Sequence, residues 1–571
     1  MGDMPSAFDQ IKVSTDEATL GLSVSSPEAQ VARVSRLPFE MTAVVLSKLA
    51  THAEHAREHD RQLELVRWIF GTTPIWPRVE SLVRNRDMQM FPEQHLIALM
   101  RMLVMYANDE PLTERLSDAN WEILLRALIA MGTVNDAGLL RRDTRDDRLA
   151  YLVQNGAYYH HEPPMEALAR TYRLFSEIPR LPGLVDHRDR VPIDEWLQEE
   201  TQGLSLDQQS ALGFALLAVA HALDENAQAN DRSVLTTDTV ADLAARIGAP
   251  FDSVVAAVSA RREWYRDQFT RCDDLGAPWN RVPFEQRPFL QLADGRVALW
   301  HVRCLMSWLT EGIHYRLLDA ARRHRKVSQY TRYLGALTER YALEVVRDAH
   351  PGPRRLGVGV VHGEYPYGGR RGKEKRTPDV AIDYGQDLVL IEVCSRRLSL
   401  ASRRGGDPAV VRADLDKMLG RKLEQLGKSA RDLLRSDASL PGVDISNVLR
   451  VWPIVVTGSG LLENPMLWAY IDEHTALLRS LGRVQPVSVF DLGDLEQLAG
   501  LIEAGYGLVD ILRRKTSGPY ARLDLRRFVF DAPYLTHRAR ANSIELRWAA
   551  AIRTYAHTLG FDPDQVGREA A

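Results

Sequence analysis

Cysteine is scarce in this chain: Cys272, Cys304 and Cys394 are the only three in 571 residues, and they lie far apart. A disulfide framework is thereby excluded, and none of the spacings suits a zinc site, so a reducing, cytoplasmic setting is expected. Long apolar runs are also lacking. The longest, around Leu212 to Leu223, is too short to cross a bilayer. Met1 to Gln30 is polar and carries no basic-then-apolar export pattern, so neither a membrane nor a secreted setting is expected. Nor does one charge dominate: 72 Lys and Arg stand against 76 Asp and Glu, a formal net charge of −4. A chain basic throughout is excluded, and any nucleic-acid contact must rest on a local patch.

What is present is enough apolar residue, 45% of the chain, to fill more than one core, and a length that calls for two to four domains. From about Pro27 to about Phe269 apolar residues recur at three- and four-residue spacing between Pro, Gly and Asp-rich connectors, the texture of packed helices. The clearest are Phe39 to Glu58, Glu93 to Asn108, Thr113 to Met131, Leu206 to Leu223 and Thr237 to Ile247. The pattern then changes. Phe289 to Leu292 and Val297 to Trp300 flank Asp294-Gly295, a hairpin signal, and helices resume from Leu305 to His350. Strands are expected at Leu356 to Val361, Asp379 to Tyr384 and Leu388 to Cys394, a long helix at Val410 to Leu434, and a strand at Val451 to Thr457. The expected organisation is a polar tail (1–26), an all-α domain (27–285), a hairpin and helical connector (286–328), a mixed α/β domain (329–515) and a C-terminal extension (516–571), read as strand then helix.

The informative stretch is Thr377-Pro378-Asp379-Val380-Ala381-Ile382-Asp383-Tyr384, a turn at Gly385-Gln386-Asp387, then Leu388 to Cys394. Because strand side chains alternate, Glu392 and Cys394 share one face while Ile391 and Val393 take the other, with Asp379 at the start of the neighbouring strand. Two carboxylates on rigid strands suit Mg²⁺ or Mn²⁺, hard ions that take one or two carboxylates and leave positions for water and a substrate phosphate. A metal so held supports phosphodiester hydrolysis. Asp383 and Asp387 read as turn residues instead.

The arrangement over roughly Tyr330 to Thr457 resembles the PD-(D/E)XK, or restriction-endonuclease-like, nuclease superfamily: a helix carrying an acid, a hairpin carrying Pro-Asp and acid-x-Lys, then a helix and a strand. The resemblance implies an α/β nuclease-like core, a mixed sheet flanked by helices, preceded here by the large all-α domain. It implies a Mg²⁺- or Mn²⁺-dependent endonuclease on nucleic acid, DNA favoured over RNA, with a role in bacterial restriction or anti-phage defence. Asp379, Glu392, the carbonyl of Val393 and a helix acid would hold the metal. Glu339 and Glu344 compete for that last place. Glu339 borders Gly335, Ala336, Ala342, Leu343 and Val346, whereas Glu344 borders Arg340, Tyr341, Arg347 and Asp348, so Glu339 is the candidate.

Where the family has its lysine, this chain has Cys394, and a thiol cannot supply the charge. At 100° per residue, Leu415, Leu419, Leu426 and Leu433 form a stripe with Lys422 at its centre, Gln425 beside it, and Lys417 and Lys428 turned away. Lys422 is therefore either the displaced catalytic cation or a lysine snorkelling from the core edge. Between Gly335 and Arg435 there are 20 Lys and Arg against 14 Asp and Glu. The surplus peaks in two loops, Arg370 to Arg376 before Asp379 and Arg396-Arg397 through Arg403-Arg404 after Cys394; of these, Arg370, Arg371, Lys373, Lys375, Arg376, Arg396 and Arg397 are candidate phosphate contacts together with Gln425.

Two other readings stay open: a nuclease fold with a decayed site that binds nucleic acid or serves as an assembly partner, and a helical interaction scaffold with an ordinary α/β core. Homo-oligomers or a protein partner through the helical domain fit either. His52, His55 and His59 share one helical face, but His52 and His59 border an apolar stripe and no fourth ligand is evident nearby, and His160-His161 match no zinc-protease pattern. Thr457-Gly458-Ser459-Gly460 reads as a loop, and Gly357, Gly359 and Gly363 as a twisted edge strand.

Overall fold

The computed structural model describes residues 13–560, apart from 15–16, 19, 21, 56–58, 72, 74–75, 85–87, 90–91, 111–114, 141–143, 160–163, 185–188, 222–233, 272–279, 352–358, 368–374, 405–406, 462–463, 533–534 and 536–540. Cys272, the side chains of His55 and His59, His160-His161, Gly357 and the candidate phosphate contacts Arg370, Arg371 and Lys373 lie outside the described residues.

The first half is dominated by helices. Those expected from periodicity form at Phe39–His55, Glu93–Tyr106, Asp118–Leu140, Leu206–His221 and Thr237–Arg246. The last is capped by Thr236, whose hydroxyl accepts from the Thr239 amide. The half is not all-α, however. Val13–Ser14 pairs with Met88–Gln89, and the expected hairpin of Phe289–Gln291 and Val297–Leu299 is the middle of a four-stranded sheet completed by Val234–Leu235 and Ser259–Ala260. Two-residue strands are too short to show a period of two, and Ser259–Ala260 runs straight on from the Phe251–Val258 helix, so helical periodicity masks it. The hairpin turns on Gly295, at φ +87°, where a side chain would be strained.

The second half holds a mixed five-stranded sheet between helices. In chain order its parts are α1 (Glu311–Arg323), α2 (Val327–Ala349), β1 (Val360–Gly363), β2 (Val380–Asp383), β3 (Asp387–Cys394), α3 (Pro408–Leu415), α4 (Arg421–Leu434), β4 (Arg450–Thr457), β5 (Ser488–Asp491) and α5 (Leu492–Glu503). The spatial order is β5-β4-β3-β2-β1; β1, β2 and β3 are antiparallel neighbours, while β3, β4 and β5 run parallel. Every residue of β3 is buried, as a central strand covered on both faces requires. Val389, Ile391 and Val393 join the core made with α2 and α5, whereas Leu388, Leu390 and Cys394 join the core made with α3 and α4. Gly359, directly before the edge strand, fits the expected close approach: a side chain there would collide with Ile382 and Tyr384.

The expected helix from Val410 to Leu434 is in fact α3, a π turn at Asp416–Gly420, and α4. The turn widens where Gly420 admits Tyr470, whose hydroxyl donates to Asp416 at 2.6 Å. β5 was not expected, and the tail is helical at Leu525–Asp531 and Asn542–Leu559, with no strand among its described residues. Asp387 closes the turn through its backbone carbonyl, which accepts from the Tyr384 amide at 2.9 Å, but its side chain works elsewhere. It accepts from the Arg450 guanidinium at 2.7 Å and from the Trp452 indole at 2.8 Å, tying β3 to β4. Asp383 does serve the turn with its side chain, accepting from the Gly385 amide.

Each of the four hydrophobic cores draws on both sides of residue 285. Leu149, Ala150 and Val153 pack under α3 and α4, Leu174, Trp196 and Leu206 pack on α1 and α2, and Leu525, Phe528 and Ile544 return to the same core. A chain of buried charges also crosses that point. Glu93 accepts from Arg281 at 2.8 Å and contacts Arg303, Arg281 reaches Glu285 at 2.6 Å, and Glu285 takes Arg403 at 2.7 Å. Among the described residues, no helix is long and apolar enough to cross a membrane.

Candidate active site at the end of the central strands

Antiparallel register places the acids. Val380 pairs with Ile391 on one side and with Gly363 on the other, so one step further Asp379 stands between Glu392 and Glu364 in a single cross-strand row. The Val393 amide donates to Asp379 Oδ2 at 2.6 Å, fixing that carboxylate against the end of β3. Because the N–H and C=O of one strand residue face the same neighbour, the Val393 carbonyl faces the Asp379 side too.

Lys422, at the first turn of α4, donates to Glu392 Oε2 at 2.9 Å and lies 3.3 Å from Asp379 Oδ2. It does not snorkel to solvent. The π turn brings Leu423 into the buried stripe with Leu426 and Leu433, so that Lys422 stands at the border of the stripe, 19% exposed, rather than at its centre. Lys417 and Lys428 are turned outward, as expected. Cys394 is a buried thiol against the Lys417 carbonyl, and burial pushes its pKa up, so it carries no charge. Gln425 is half-buried three residues along α4.

The helix acids separate cleanly. Glu344 pairs with Arg340 at 2.8 Å and with Arg347 on its own helix. Glu339 is half-buried beside the notch at Gly335, and burial, reinforced by the charge of Asp379 and offset by Lys422, pushes its pKa up to about 7. Glu392 is raised well above the usual range for the same reasons, burial first and Asp379 second. Burial works against the Lys422 ammonium, but Asp379 and Glu392 outweigh it and hold its pKa above the ordinary lysine value. Glu364 was missed in sequence. Burial raises its pKa, Arg376 offsets this from 2.6 Å, and Asp379 raises it further. The signal was the two-residue alternation of β1 continued one position past Gly363.

A consequence for stability follows in the metal-free chain. Between the ordinary value of 4.5 and about 7, folded Glu339 keeps a proton that the unfolded chain has lost, so stability falls as pH rises through that window. Glu392 acts in the same direction. In EDTA the thermal midpoint is expected to drop between about pH 5 and about pH 8, and Glu339→Gln to flatten part of that drop. Parallel profiles for the two proteins would show that Glu339 contributes nothing.

The basic candidates differ in their engagement. Lys375 is bound to Asp432 at 2.8 Å and Arg376 to Glu364, so both have protein partners. Arg396 is exposed, and Arg397 is half-buried with its Nη1 buried and without a hydrogen-bond partner.

Glu392 is 0% exposed and its Oε1 is also buried without a hydrogen-bond partner, a defect that a cation or its bound water would satisfy. Among the described residues no three carboxylate, histidine or cysteine side chains converge as a ready-made metal cage. The donors present, the carboxylates of Asp379 and Glu392 and the Val393 carbonyl with Glu339 nearby, are all oxygens, the kind that suits a hard ion keeping several waters, Mg²⁺ or Mn²⁺, better than zinc. No family model, curated protein or solved structure matches the chain.

Proposed function

We propose that the chain is a metal-dependent nuclease of the PD-(D/E)XK type, cleaving phosphodiester bonds in nucleic acid, DNA in preference to RNA. The observation that carries this reading is Lys422: a lysine from the following helix reaches both Asp379 and Glu392, supplying the cation that Cys394 does not. The strand order, with an antiparallel hairpin bearing both acids followed by helices and a parallel strand, supports it.

Asp379, Glu392 and the Val393 carbonyl would hold Mg²⁺, which when bound supplies Lewis-acid stabilisation of the phosphate charge. The Val393 amide keeps Asp379 in place. The Lys422 ammonium, fixed by two carboxylates, orients the attacking water and favours its loss of a proton. One P–O bond to that oxygen forms, one P–O ester bond breaks, and the leaving oxygen takes up a proton. Glu339, with a pKa near neutrality, is suited to exchange protons with this water.

The test is incubation with plasmid DNA, single-stranded DNA and RNA in Mg²⁺, Mn²⁺ or EDTA. Cleavage is expected with metal only and is expected to vanish in Asp379→Ala; no cleavage, or cleavage indifferent to that change, defeats the reading. A role in restriction or anti-phage defence rests on the family resemblance, and a fall in phage plating that Asp379→Ala abolishes is its test. A second reading, nucleic-acid binding without cleavage, is favoured by the lack of a three-ligand cage among the described residues. It predicts salt-sensitive binding that is unchanged by EDTA.

A further inference from the structure

We infer that Ser395 and Arg397 form a phosphate seat beside the cleavage site, gripping the backbone of the bound strand away from the scissile bond. This rests on the nuclease reading above and adds where the substrate runs. The segment leaves β3 directly after the site and is firmly held. The Gly458 amide donates to the Cys394 carbonyl at 2.7 Å, the Tyr315 hydroxyl donates to the Leu398 carbonyl at 2.7 Å, and the Ser399 amide donates to Asp414 at 2.7 Å. A loop so fixed presents its side chains preorganised.

Those side chains are unengaged. Arg397 makes no ion pair or hydrogen bond among the described residues, and its Nη1 is buried. Its charge falls on His314, Tyr315 and Tyr330, none of which is an acid that would neutralise it. Of the other basic residues nearby, Lys375, Arg376 and Arg403 have carboxylate partners, while Arg404 Nε, like Arg397 Nη1, is buried without a hydrogen-bond partner. A buried guanidinium donor left without a partner costs stability, and a phosphate oxygen is the acceptor whose geometry matches its fork.

Ser395 links this arginine to the chemistry. A side-chain carbon at Gly335 on α2 would lie 3.8 Å from both Glu339 Oε1 and Ser395 Oγ, so the missing side chain opens a notch flanked by the site's acid and a hydroxyl that makes no hydrogen bond among the described residues. Ser395 and Arg397 stand two residues apart on the held segment, close enough together to take neighbouring phosphates of one strand. Such contacts hold any sequence alike and set register, not specificity.

The experiment is fluorescence anisotropy of labelled single-stranded and duplex DNA oligonucleotides in EDTA, using the full chain. Arg397→Ala is expected to weaken binding about tenfold and to lower the slope of log affinity against log salt by about one. Arg397→Lys is expected to recover part of the loss, Ser395→Ala to weaken binding by a smaller factor, and Lys428→Ala, on the outer face of α4, to change nothing. Circular dichroism melts of each variant exclude misfolding, and Arg397→Gln serves if the alanine variant melts early. Parental affinity and salt slope in both Arg397→Ala and Arg397→Gln overturn the seat even if Mg²⁺-dependent cleavage stands. Weakened binding in these variants, with no cleavage by the parent chain, keeps the seat and removes the nuclease reading.

Discussion

Replacing Lys422 by alanine is expected to reduce Mg²⁺-dependent cleavage by about a thousandfold, the scale seen when one preorganised charge-stabilising group is removed from an active site. The side chain touches both acids of the site, and among the described residues no second ammonium stands within reach of them: Lys417 and Lys428 point outward and Lys375 is held by Asp432. Arginine is not expected to rescue it, because a planar fork cannot take the place of a point charge between two carboxylates. Moving the cation back to strand β3 gives a sharper result. Cys394 shares the face of Glu392, so Cys394→Lys in the Lys422→Ala background is expected to regain about tenfold of the lost rate, whereas Cys394→Lys alone crowds a second cation against Lys422. Initial rates on a labelled duplex measure both. Parental activity in Lys422→Ala would remove the lysine, and with it the mechanism, from consideration.

The two acids and the lysine were legible in the sequence for different reasons. Asp379 and Glu392 sit on strands whose apolar alternation is strong, and a hairpin turn at Gly385 fixes which residues face each other. Lys422 emerged from helical phase although the π turn at Asp416–Gly420 alters that phase, since a turn near the start of α4 leaves the stripe beyond it intact. Glu364 escaped because β1 is only four residues long and is preceded by the glycine-rich stretch Gly357-Val358-Gly359, so its end could not be placed to within a residue. Partners distant in sequence were not readable at all. Nothing near Lys375 announces Asp432, and nothing near Asp387 announces Arg450 and Trp452. The same limit hid the interleaving of the two halves, because periodicity reports which face of a helix is apolar and not which element covers it.

Arg403→Ala is expected to destabilise the protein by about 3–5 kcal/mol, the cost of leaving a buried charge without its partner. Arg403 lies 8% exposed behind the Arg397 loop, donates to both oxygens of Glu285 at 2.7 and 2.8 Å, approaches Glu311 at 3.3 Å and lies over the Tyr315 ring. Glu285 and Glu311 together with their neighbours hold its pKa above the ordinary arginine value despite burial. Arg403→Met is expected to be no better than alanine where charge decides, since it still strands Glu285; the double change Arg403→Met with Glu285→Gln removes both charges and is expected to recover much of the loss. Urea unfolding followed by tryptophan emission reads this, because Trp300 and Trp308 are fully buried in two of the cores. If Arg403→Ala unfolds at the parental midpoint, the buried charges from Glu93 to Arg403 do not hold the helical half to the strand end that carries Ser395 and Arg397. If instead the single change is costly and the double change is not, the network's role is to fix where that loop sits, since an uncharged pair fills the space as well as the ions did.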